Sequence, residues 1–371
     1  MKFSPGQMVA ARYEIINFHL EGGMQEVYRC KDHTLNRIVA LKTPKEGIVD
    51  KRFNRGAQMG ARVNHPNVAA TLDYVEENGL RCLIEEFVEG IDLGRRLANE
   101  FDFIDPSLAA WVAHNIAKGL QAAHKVGICH RDLKPGNIMT SSDPQMRVLK
   151  LTDFGIAKLA QSELEVEMDR FDHDENTLTS SSTLLGAVPY LAPECWTDWK
   201  SSGQAADIWA LGAITAHLLI GKSPFGGGRA AIMKMLEIKQ TGLVSLTKPS
   251  WFGEHAITSS LEERLWEIVE KCLQADPDLR PSAADVVMIF DSLLYTSSER
   301  QTGTISLYPR RLPNGGSSKS GFIKVDGINK SLFFHGTVFY GALVPKEDQR
   351  VHFSSFPGYP DPRCATVLLV K

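Results

Sequence analysis

Residues 130–137 read HRDLKPGN and residues 152–155 read TDFG, so two aspartates, a lysine and an asparagine lie close together in the chain. Phosphoryl transfer from ATP needs metal ions, a cation on the phosphates and a base near the acceptor hydroxyl, but little covalent chemistry from the protein. Carboxylate and amide oxygens are ligands that suit Mg²⁺. The two stretches therefore predict a phosphoryl-transfer site that uses ATP and Mg²⁺.

Each polar side chain of these stretches suits one part of that chemistry. Asp132 can accept the proton of an acceptor hydroxyl or orient that hydroxyl. Asn137 and Asp153 offer hard oxygen ligands for the metal. Lys134 can hold the phosphate that is transferred.

The elements that must position these residues change in type along the chain. The first ninety residues favour β-strands, and apolar residues three and four positions apart favour helices from residue 105 onward. The outline is a small sheet lobe followed by a larger helical lobe. The strand-like runs are RYEIINFHL, EVYRCKD, RIVALKT and RCLIEEFVEG; the helical segments are KRFNRGAQMGARVN, PSLAAWVAHNIAKGLQAAHKVG, ADIWALGAITAHLLIGK and LEERLWEIVEKCLQADP.

Length and composition are those of a globular protein with more than one domain. The chain has 371 residues, of which 43% are hydrophobic and 23% charged, and its net charge of −3 gives no overall preference for nucleic acid or membrane. The six cysteines are scattered, which argues against a disulfide framework or a zinc site. The first residues lack the apolar stretch of a signal peptide, and we expect a cytoplasmic protein.

The last part of the chain has a different character. After a linker at residues 296–302, five short strand-like runs separated by turns predict a small barrel at 303–371. Residues 302–371 carry nine Lys and Arg against four Asp and Glu, a charge of +5, with aromatic residues among the cations. This composition is typical of a platform for single-stranded nucleic acid, in which bases stack on rings and phosphates follow the cations.

In the order of its motifs the chain resembles the eukaryotic-type Ser/Thr protein kinases, and closely their bacterial members. The resemblance covers residues 8–295, with an N-terminal lobe of about 8–88 and a C-terminal lobe of about 89–295. The motifs are EGGMQEVY at 21–28, VALK at 39–42, HPNV at 65–68, HRDLKPGN at 130–137, DFG at 153–155, APE at 192–194, DIWALG at 207–212 and RPSA at 280–283.

This resemblance implies a two-lobed α+β fold and a Ser/Thr protein kinase with a defined set of site residues. Lys42 would hold the α- and β-phosphates of ATP and share in catalysis with Asp132 and Lys134, and Lys134 favours Ser/Thr over Tyr acceptors. Glu194 would pair with Arg280 to brace the helical lobe. The residues implied around the nucleotide are Gly22, Val27, Ala40, Lys42, Glu85, Glu86, Val88 and Met139; those with a structural or regulatory role are Arg131, Glu194, Asp207 and Arg280.

Two departures from the family pattern concern the nucleotide pocket. The three glycines of the family's phosphate loop align with Leu20, Gly22 and Gln25, so only the middle one is present and the loop is expected to cover ATP less tightly. The helix position that offers a glutamate to Lys42 holds Gly56. We hypothesise that Glu85 supplies the missing carboxylate; the alternative is a solvated glutamate at a strand end.

A third departure concerns the catalytic loop. Ala187 stands where the family usually has a threonine whose hydroxyl bonds the catalytic aspartate and lysine. Its loss is expected to loosen Asp132 and Lys134 by about 1 kcal/mol per lost bond. Since the metal ligands and both lysines are present, we favour an active, slow enzyme over a pseudokinase scaffold that binds nucleotide, and over a nucleic-acid sensor in which the kinase fold only reports.

Residues 161–183 are acidic first and rich in hydroxyl groups afterwards, so we expect a mobile surface segment. Arg131 precedes the catalytic aspartate, an arrangement that in the family responds to phosphorylation of the activation segment. The candidate acceptors in this chain are Thr177, Thr179, Ser180, Ser181, Ser182 and Thr183.

The order of the C-terminal strands resembles a cold-shock domain of the OB-fold type. The family's tryptophan is Leu307 here, the first aromatic of its G-F-G-F motif is Ser320, and the aromatic after the histidine is Gly336. With half of the platform missing, two interpretations stand: weak binding of single-stranded RNA or DNA, or a protein-interaction or regulatory barrel. The resemblance implies Tyr308, Phe322, Phe333 and His335 on the nucleic-acid face.

Overall fold

A computed structural model describes residues 2–21, 25–45, 51–77, 79–154, 186–196, 203–255, 257–295, 299–312, 315–359 and 361–371. Within these residues a sheet lobe, a helical lobe and a closed five-stranded barrel follow one another, so the predicted α+β fold with a C-terminal barrel is confirmed. The predictions for Gly22, for the 161–183 segment and for its acceptor hydroxyls lie outside the described residues.

The first lobe is a six-stranded antiparallel sheet with the order β1-β2-β3-β4-β6-β5. Its inward apolar side chains form a core of their own, and helix α1 packs Phe53 and Ala57 against Leu83 of the sheet. The bounds are β1 Met8–Val9, β2 Tyr13–Glu21, β3 Gln25–Asp32, β4 Arg37–Pro44, α1 Lys51–Gly60, β5 Thr71–Glu77 and β6 Leu80–Glu86.

The second lobe is built around the buried helix α3. Asp105 caps its N-terminus by accepting hydrogen bonds from the backbone of Ser107 and Leu108, and Gly127 follows its end with a φ of +74°, as the sequence pattern predicts. The helices are α2 Leu93–Asn99, α3 Pro106–Lys125, α4 Gln204–Ile220, α5 Gly228–Thr241, α6 Ser259–Cys272 and α7 Ala283–Asp291; the short strands are β7 Ile91–Asp92, β8 Ile138–Thr140 and β9 Leu149–Leu151. In the described part of the chain, every helix is too short or too polar to cross a membrane.

The barrel closes because β10 pairs with both β13 and β15. Its five strands are those that the sequence pattern predicts, with a core of alternate inward residues. Residues 300–302 of the expected linker already belong to β10, because Arg300 is buried and pairs with Ser354. The bounds are β10 Arg300–Leu307, β13 Ser320–Val325, β14 Ser331–His335, β15 Arg350–Phe356 and β16 Arg363–Leu369, with a small ribbon of β11 Arg310–Arg311 and β12 Ser317–Ser318.

The barrel packs directly on the helical lobe. Arg300 forms a buried ion pair with Asp105 at the start of α3, with Nη2 and Oδ2 2.5 Å apart. His255 Nε2 lies 2.8 Å from the carbonyl oxygen of Phe339. The ring of Phe103 packs edge to face against Tyr340, with the ring centroids 5.8 Å apart. The barrel is therefore joined to the helical lobe at the start of helix α3.

Candidate active site

The β8–β9 hairpin brings the two predicted metal ligands to one place. Asn137 directly precedes β8, and Asp153 follows two residues after β9 ends. Because β8 and β9 run antiparallel, with Ile138 opposite Leu151, the two ends that carry these side chains are adjacent. The backbone nitrogen of Thr152 donates to the carbonyl oxygen of Asn137 at 3.0 Å, which fixes the arrangement.

Asp132 is held between Lys134 and Asn137. The Nζ atom of Lys134 lies 3.0 Å from Asp132 Oδ2. Asn137 Nδ2 donates to Asp132 Oδ2 at 2.9 Å and to the Asp132 carbonyl oxygen at 2.8 Å. These bonds use the amide nitrogen of Asn137, so its Oδ1 atom is left available as a ligand for a cation.

The loop that carries Asp132 is held in place by hydrogen bonds to Asp207. The buried carboxylate of Asp207 accepts hydrogen bonds from the backbone nitrogens of His130 at 2.8 Å and Arg131 at 2.7 Å. His124 Nε2 lies 2.8 Å from the same carboxylate. Arg131 has a φ of +64°, and this unusual backbone conformation is held by the bond to Asp207.

Lys42 lies between two carboxylates. Its Nζ atom is 2.6 Å from Glu85 Oε2 and 2.8 Å from Asp153 Oδ1, and the side chains of Lys42 and Glu85 are buried. Burial alone lowers the pKa of Lys42, but the charges of Asp153 and Glu85 outweigh it and raise the pKa above its ordinary value. Burial raises the pKa of Asp153, yet Lys42 and a hydrogen bond from Gln25 bring it down to about 2.

The contact of Gln25 with Asp153 is a feature that sequence reasoning missed. Gln25 Nε2 donates to Asp153 Oδ1 at 2.7 Å, and Gln25 Oε1 is buried without a hydrogen-bond partner in the described part of the chain. The sequence marks Gln25 only as a lost glycine of the phosphate loop. The signal that the sequence offers is a side chain with a hydrogen-bond donor at a position where the family has a glycine.

The other predicted nucleotide-pocket residues lie on the strands around Lys42. Val27 pairs with Lys42, and Ala40 pairs with Glu85, in the antiparallel ladder. The carboxylate of Glu86 points away from Glu85, as successive strand residues do, and lies 3.0 Å from Lys150. Val88 is buried just after β6, and Met139 lies in β8.

Two further predicted residues form a bidentate ion pair in the helical lobe. Arg280 Nη1 and Nη2 lie 2.7 Å and 2.9 Å from the two carboxylate oxygens of Glu194. The guanidinium of Arg280 also packs over the ring of Trp209. This pair joins the segment after Ala187 to the lobe's core, away from the metal ligands.

Ala187 is buried beside the catalytic loop. Together with Arg131, Asp132 and Asp207 it lines a small cavity in the helical lobe. The methyl side chain offers Asp132 no hydrogen bond, as the sequence predicts.

The four predicted nucleic-acid residues lie on the barrel, and the structure brings three of them together. Phe322 and Phe333 face each other across β13 and β14, with ring centroids 5.9 Å apart, and His335 is on the same face of β14 as Phe333. Tyr308 instead stacks on the core residue Phe334, with ring centroids 5.6 Å apart.

The residues of the site fit a hard divalent cation. Asn137 Oδ1 accepts no hydrogen bond from the described residues, and Asp153 is a carboxylate of low pKa beside it. The described residues contain no group of three His, Cys, Asp or Glu side chains placed to hold a metal. Mg²⁺ in phosphoryl-transfer sites uses one or two carboxylates together with phosphates, so a site of this size suits it.

Comparison with known proteins shows the family of the chain. The protein kinase domain family matches residues 20–289. The chain is 33% identical over 253 residues to the serine/threonine-protein kinase PkaA of Streptomyces coelicolor, which covers 67% of this chain and 41% of that protein. It is 31% identical over 239 residues to the serine/threonine-protein kinase PrkC of Bacillus subtilis, covering 63% and 34% respectively. The chain thus spans less than half the length of these relatives.

Proposed function

This chain belongs to the protein kinase family, and from that premise we propose that it transfers the γ-phosphate of ATP to a serine or threonine hydroxyl of a protein. The observation that carries the proposal is the convergence of Asp132, Asn137 and Asp153 at the end of one hairpin. Asn137 Nδ2 lies 2.9 Å from Asp132 Oδ2, and Asp153 lies 2.8 Å from Lys42, so base, predicted metal ligands and phosphate-binding lysine share one site.

Each residue has a role that its surroundings support. Asn137 and Asp153 would hold Mg²⁺, and the bound ion would neutralise the negative charge of the phosphates. Asp132 accepts or orients the proton of the acceptor hydroxyl, and Lys134, 3.0 Å away, holds the phosphate during transfer. Lys42 binds the α- and β-phosphates.

A radiolabelled ATP assay tests this function. Wild-type protein with Mg²⁺ should transfer the labelled phosphate from ATP to serine and threonine residues of a generic protein acceptor. The Asp132→Asn variant should lose most of that activity. Asp143→Asn is a suitable control, because Asp143 lies in the β8–β9 loop outside the site and bonds Ser141 and Gln145. Equal labelling by wild type and Asp132→Asn would contradict the proposal.

We also propose that the enzyme phosphorylates itself at residues 177–183. Support comes from Arg131, whose Nε atom is buried without a hydrogen-bond partner in the described residues and suits a phosphate. Mass spectrometry of protein prepared with ATP, compared with Asp132→Asn, tests the idea. An unmodified segment in the wild type would count against it.

The alternative is a pseudokinase scaffold that binds nucleotide without efficient transfer. One observation favours it: Gln25 and Lys42 both bond the same oxygen of Asp153, so this carboxylate is occupied by the protein's own groups. Nucleotide affinity measured alongside transfer separates the two functions. Binding without any transfer would favour the scaffold.

For the barrel we propose weak binding of single-stranded RNA or DNA. Phe322 and Phe333 are partly exposed, the guanidinium of Arg363 lies 5.6 Å from the Phe333 ring centroid, and Lys324 is exposed on the same face. This face belongs to β13 and β14, whereas the contacts with the helical lobe come from other parts of the barrel. Among the described residues, this face is therefore separate from these contacts with the helical lobe.

An oligonucleotide shift assay with the full chain tests this second function. Binding should weaken with salt, and Phe322→Ala or Phe333→Ala should weaken it further, because each stacked base contributes about 1–3 kcal/mol. Leu243→Ala, which removes an exposed apolar side chain of the helical lobe, is the control. No shift at low salt would leave the barrel as a protein-interaction or regulatory module.

A cytoplasmic location of the protein remains a prediction.

A further inference from the structure

Helix α1 cannot supply a carboxylate to Lys42. Its ten residues, KRFNRGAQMG, contain no aspartate or glutamate, and Gly56 aligns with the position at which the family has its glutamate. The described side chains Phe53 and Ala57 instead form an apolar contact with Leu83 and Tyr74. Among the described side chains, apolar packing thus joins the helix to the sheet at this point.

Glu85 reaches Lys42 from inside the sheet. Strand β6 pairs with β4 at four successive positions, including Ala40 with Glu85 and Lys42 with Leu83. Because the two side chains belong to neighbouring hydrogen-bonded strands, the 2.6 Å contact between them is set by the ladder and does not depend on where α1 lies.

Lys42 needs a carboxylate that stays with it. Asp153, its other partner at 2.8 Å, is a predicted metal ligand and cannot serve both cations equally. A buried ammonium without a partner is costly, and a lysine on a flexible stem is poorly oriented without one. Glu85 is buried and has no competing partner of opposite charge in the described part of the chain, so it remains on Lys42.

We propose that Glu85 is the positioning residue that anchors Lys42 for phosphate binding, in place of a glutamate from helix α1. The phosphate-binding lysine of this chain is then set by the sheet, and displacement of α1 does not release it. This inference rests on the proposed phosphoryl transfer.

The test uses Glu85→Gln, which keeps the shape of the side chain and removes its charge. We measure kcat, KM for ATP, and the affinity for a fluorescent ATP analogue in the absence of turnover. Misplacement of a catalytic group by about 1 Å costs up to about 100-fold. Glu85→Gln should therefore lose about 10- to 100-fold in kcat/KM and weaken nucleotide binding. Glu76→Gln is the matched control, because Glu76 forms an exposed ion pair with Arg81 in the same sheet.

A rescue variant tests the equivalence of the two positions. Gly56→Glu in the Glu85→Gln background should recover part of the lost affinity and activity by supplying a carboxylate from α1. No recovery in a double variant that is folded by circular dichroism would overturn that equivalence. Where the double variant does not fold, Glu85→Gln decides alone.

The inference is overturned if Glu85→Gln and Glu76→Gln have the same kcat/KM and the same nucleotide affinity. Failure of the proposed function is a separate outcome. If the wild type binds nucleotide but transfers no phosphate, the affinity of Glu85→Gln relative to wild type still reports whether Glu85 positions Lys42.

Discussion

The guanidinium of Arg300 lies 2.5 Å from the carboxylate of Asp105, and both side chains are buried where the barrel meets the helical lobe. Asp105 also accepts hydrogen bonds from the first turn of helix α3, so one carboxylate both begins the helix and binds the barrel. Helix α3 in turn packs against β9, which leads to Asp153. The barrel is thus packed on the helical lobe and is not a module on a free tether.

Removing the charge of Arg300 should destabilise the whole chain. Breaking a buried ion pair costs about 3–5 kcal/mol because the remaining carboxylate is left without a partner. Thermal unfolding of Arg300→Ala should therefore shift clearly to lower temperature. Arg350→Ala is the control, since Arg350 forms an exposed pair with Asp326 within the barrel and such pairs contribute about 1 kcal/mol or less. Equal shifts in the two variants would show that the Arg300 pair does not hold the barrel.

Restoring a hydroxyl at position 187 should raise activity. Ala187 lines a small cavity together with Asp132, so a threonine there places a donor near Asp132. One hydrogen bond of about 1 kcal/mol corresponds to a rate gain of about fivefold in kcat for Ala187→Thr. Ala187→Val has the same shape without the hydroxyl and should give no gain. A valine variant as active as the threonine variant would contradict the role of the hydroxyl.

Removing the side chain of Gln25 should favour metal binding. Its amide nitrogen bonds Asp153 Oδ1, and loss of that bond removes one of the two donors on this oxygen, the other being Lys42, so that the oxygen becomes more available to a cation. Gln25→Gly should lower the Mg²⁺ concentration for half-maximal nucleotide binding about fivefold, the equivalent of one hydrogen bond. Gln7→Ala, at an exposed position in the same lobe, is the control. A higher Mg²⁺ requirement in Gln25→Gly would mean that the amide helps to hold the metal.

The free energy of unfolding should decrease as the pH is lowered, partly because of His352. Burial, with the charges of Arg300, Arg96 and Arg350, lowers the pKa of His352 to about 4, whereas the unfolded chain titrates near 6.5. Between these values the unfolded state binds more protons, so stability is full above pH 6.5 and is lost as pH falls toward 4. The unfolding temperature of His352→Gln should therefore decrease less between pH 7 and pH 5 than that of the wild type. Parallel pH profiles would contradict this assignment.

Local patterns in the sequence predict most of the fold. Strands β2, β3, β4 and β6 lie in β-rich runs separated by turn residues, and helix α3 carries its own start and end signals, so each element is indicated by its near neighbours. The sequence pattern does not predict strand β5, because TLDYVEE contains three acidic residues and lacks a clear apolar face; in the structure none of its side chains is fully buried. Its place in the sheet comes from pairing with β6.

The order of motifs predicts which residues belong to the site but not every contact among them. The pairing of Lys42 with Glu85 was a hypothesis from one missing glutamate, and the geometry is compatible with it. Gln25 reads as a lost glycine, and its bond to Asp153 spans 128 positions of the chain. The Arg300–Asp105 pair spans 195 positions, and no local pattern signals a partner so distant.

The most direct measurement is a crystal structure of the full chain with Mg²⁺ and a non-hydrolysable ATP analogue. We predict a Mg²⁺ ion at about 2.0–2.1 Å from Asn137 Oδ1 and from an oxygen of Asp153, next to the triphosphate, with Lys42 on the phosphates and still in contact with Glu85. A triphosphate bound with Asn137 and Asp153 both turned away from any metal ion would contradict the phosphoryl-transfer site.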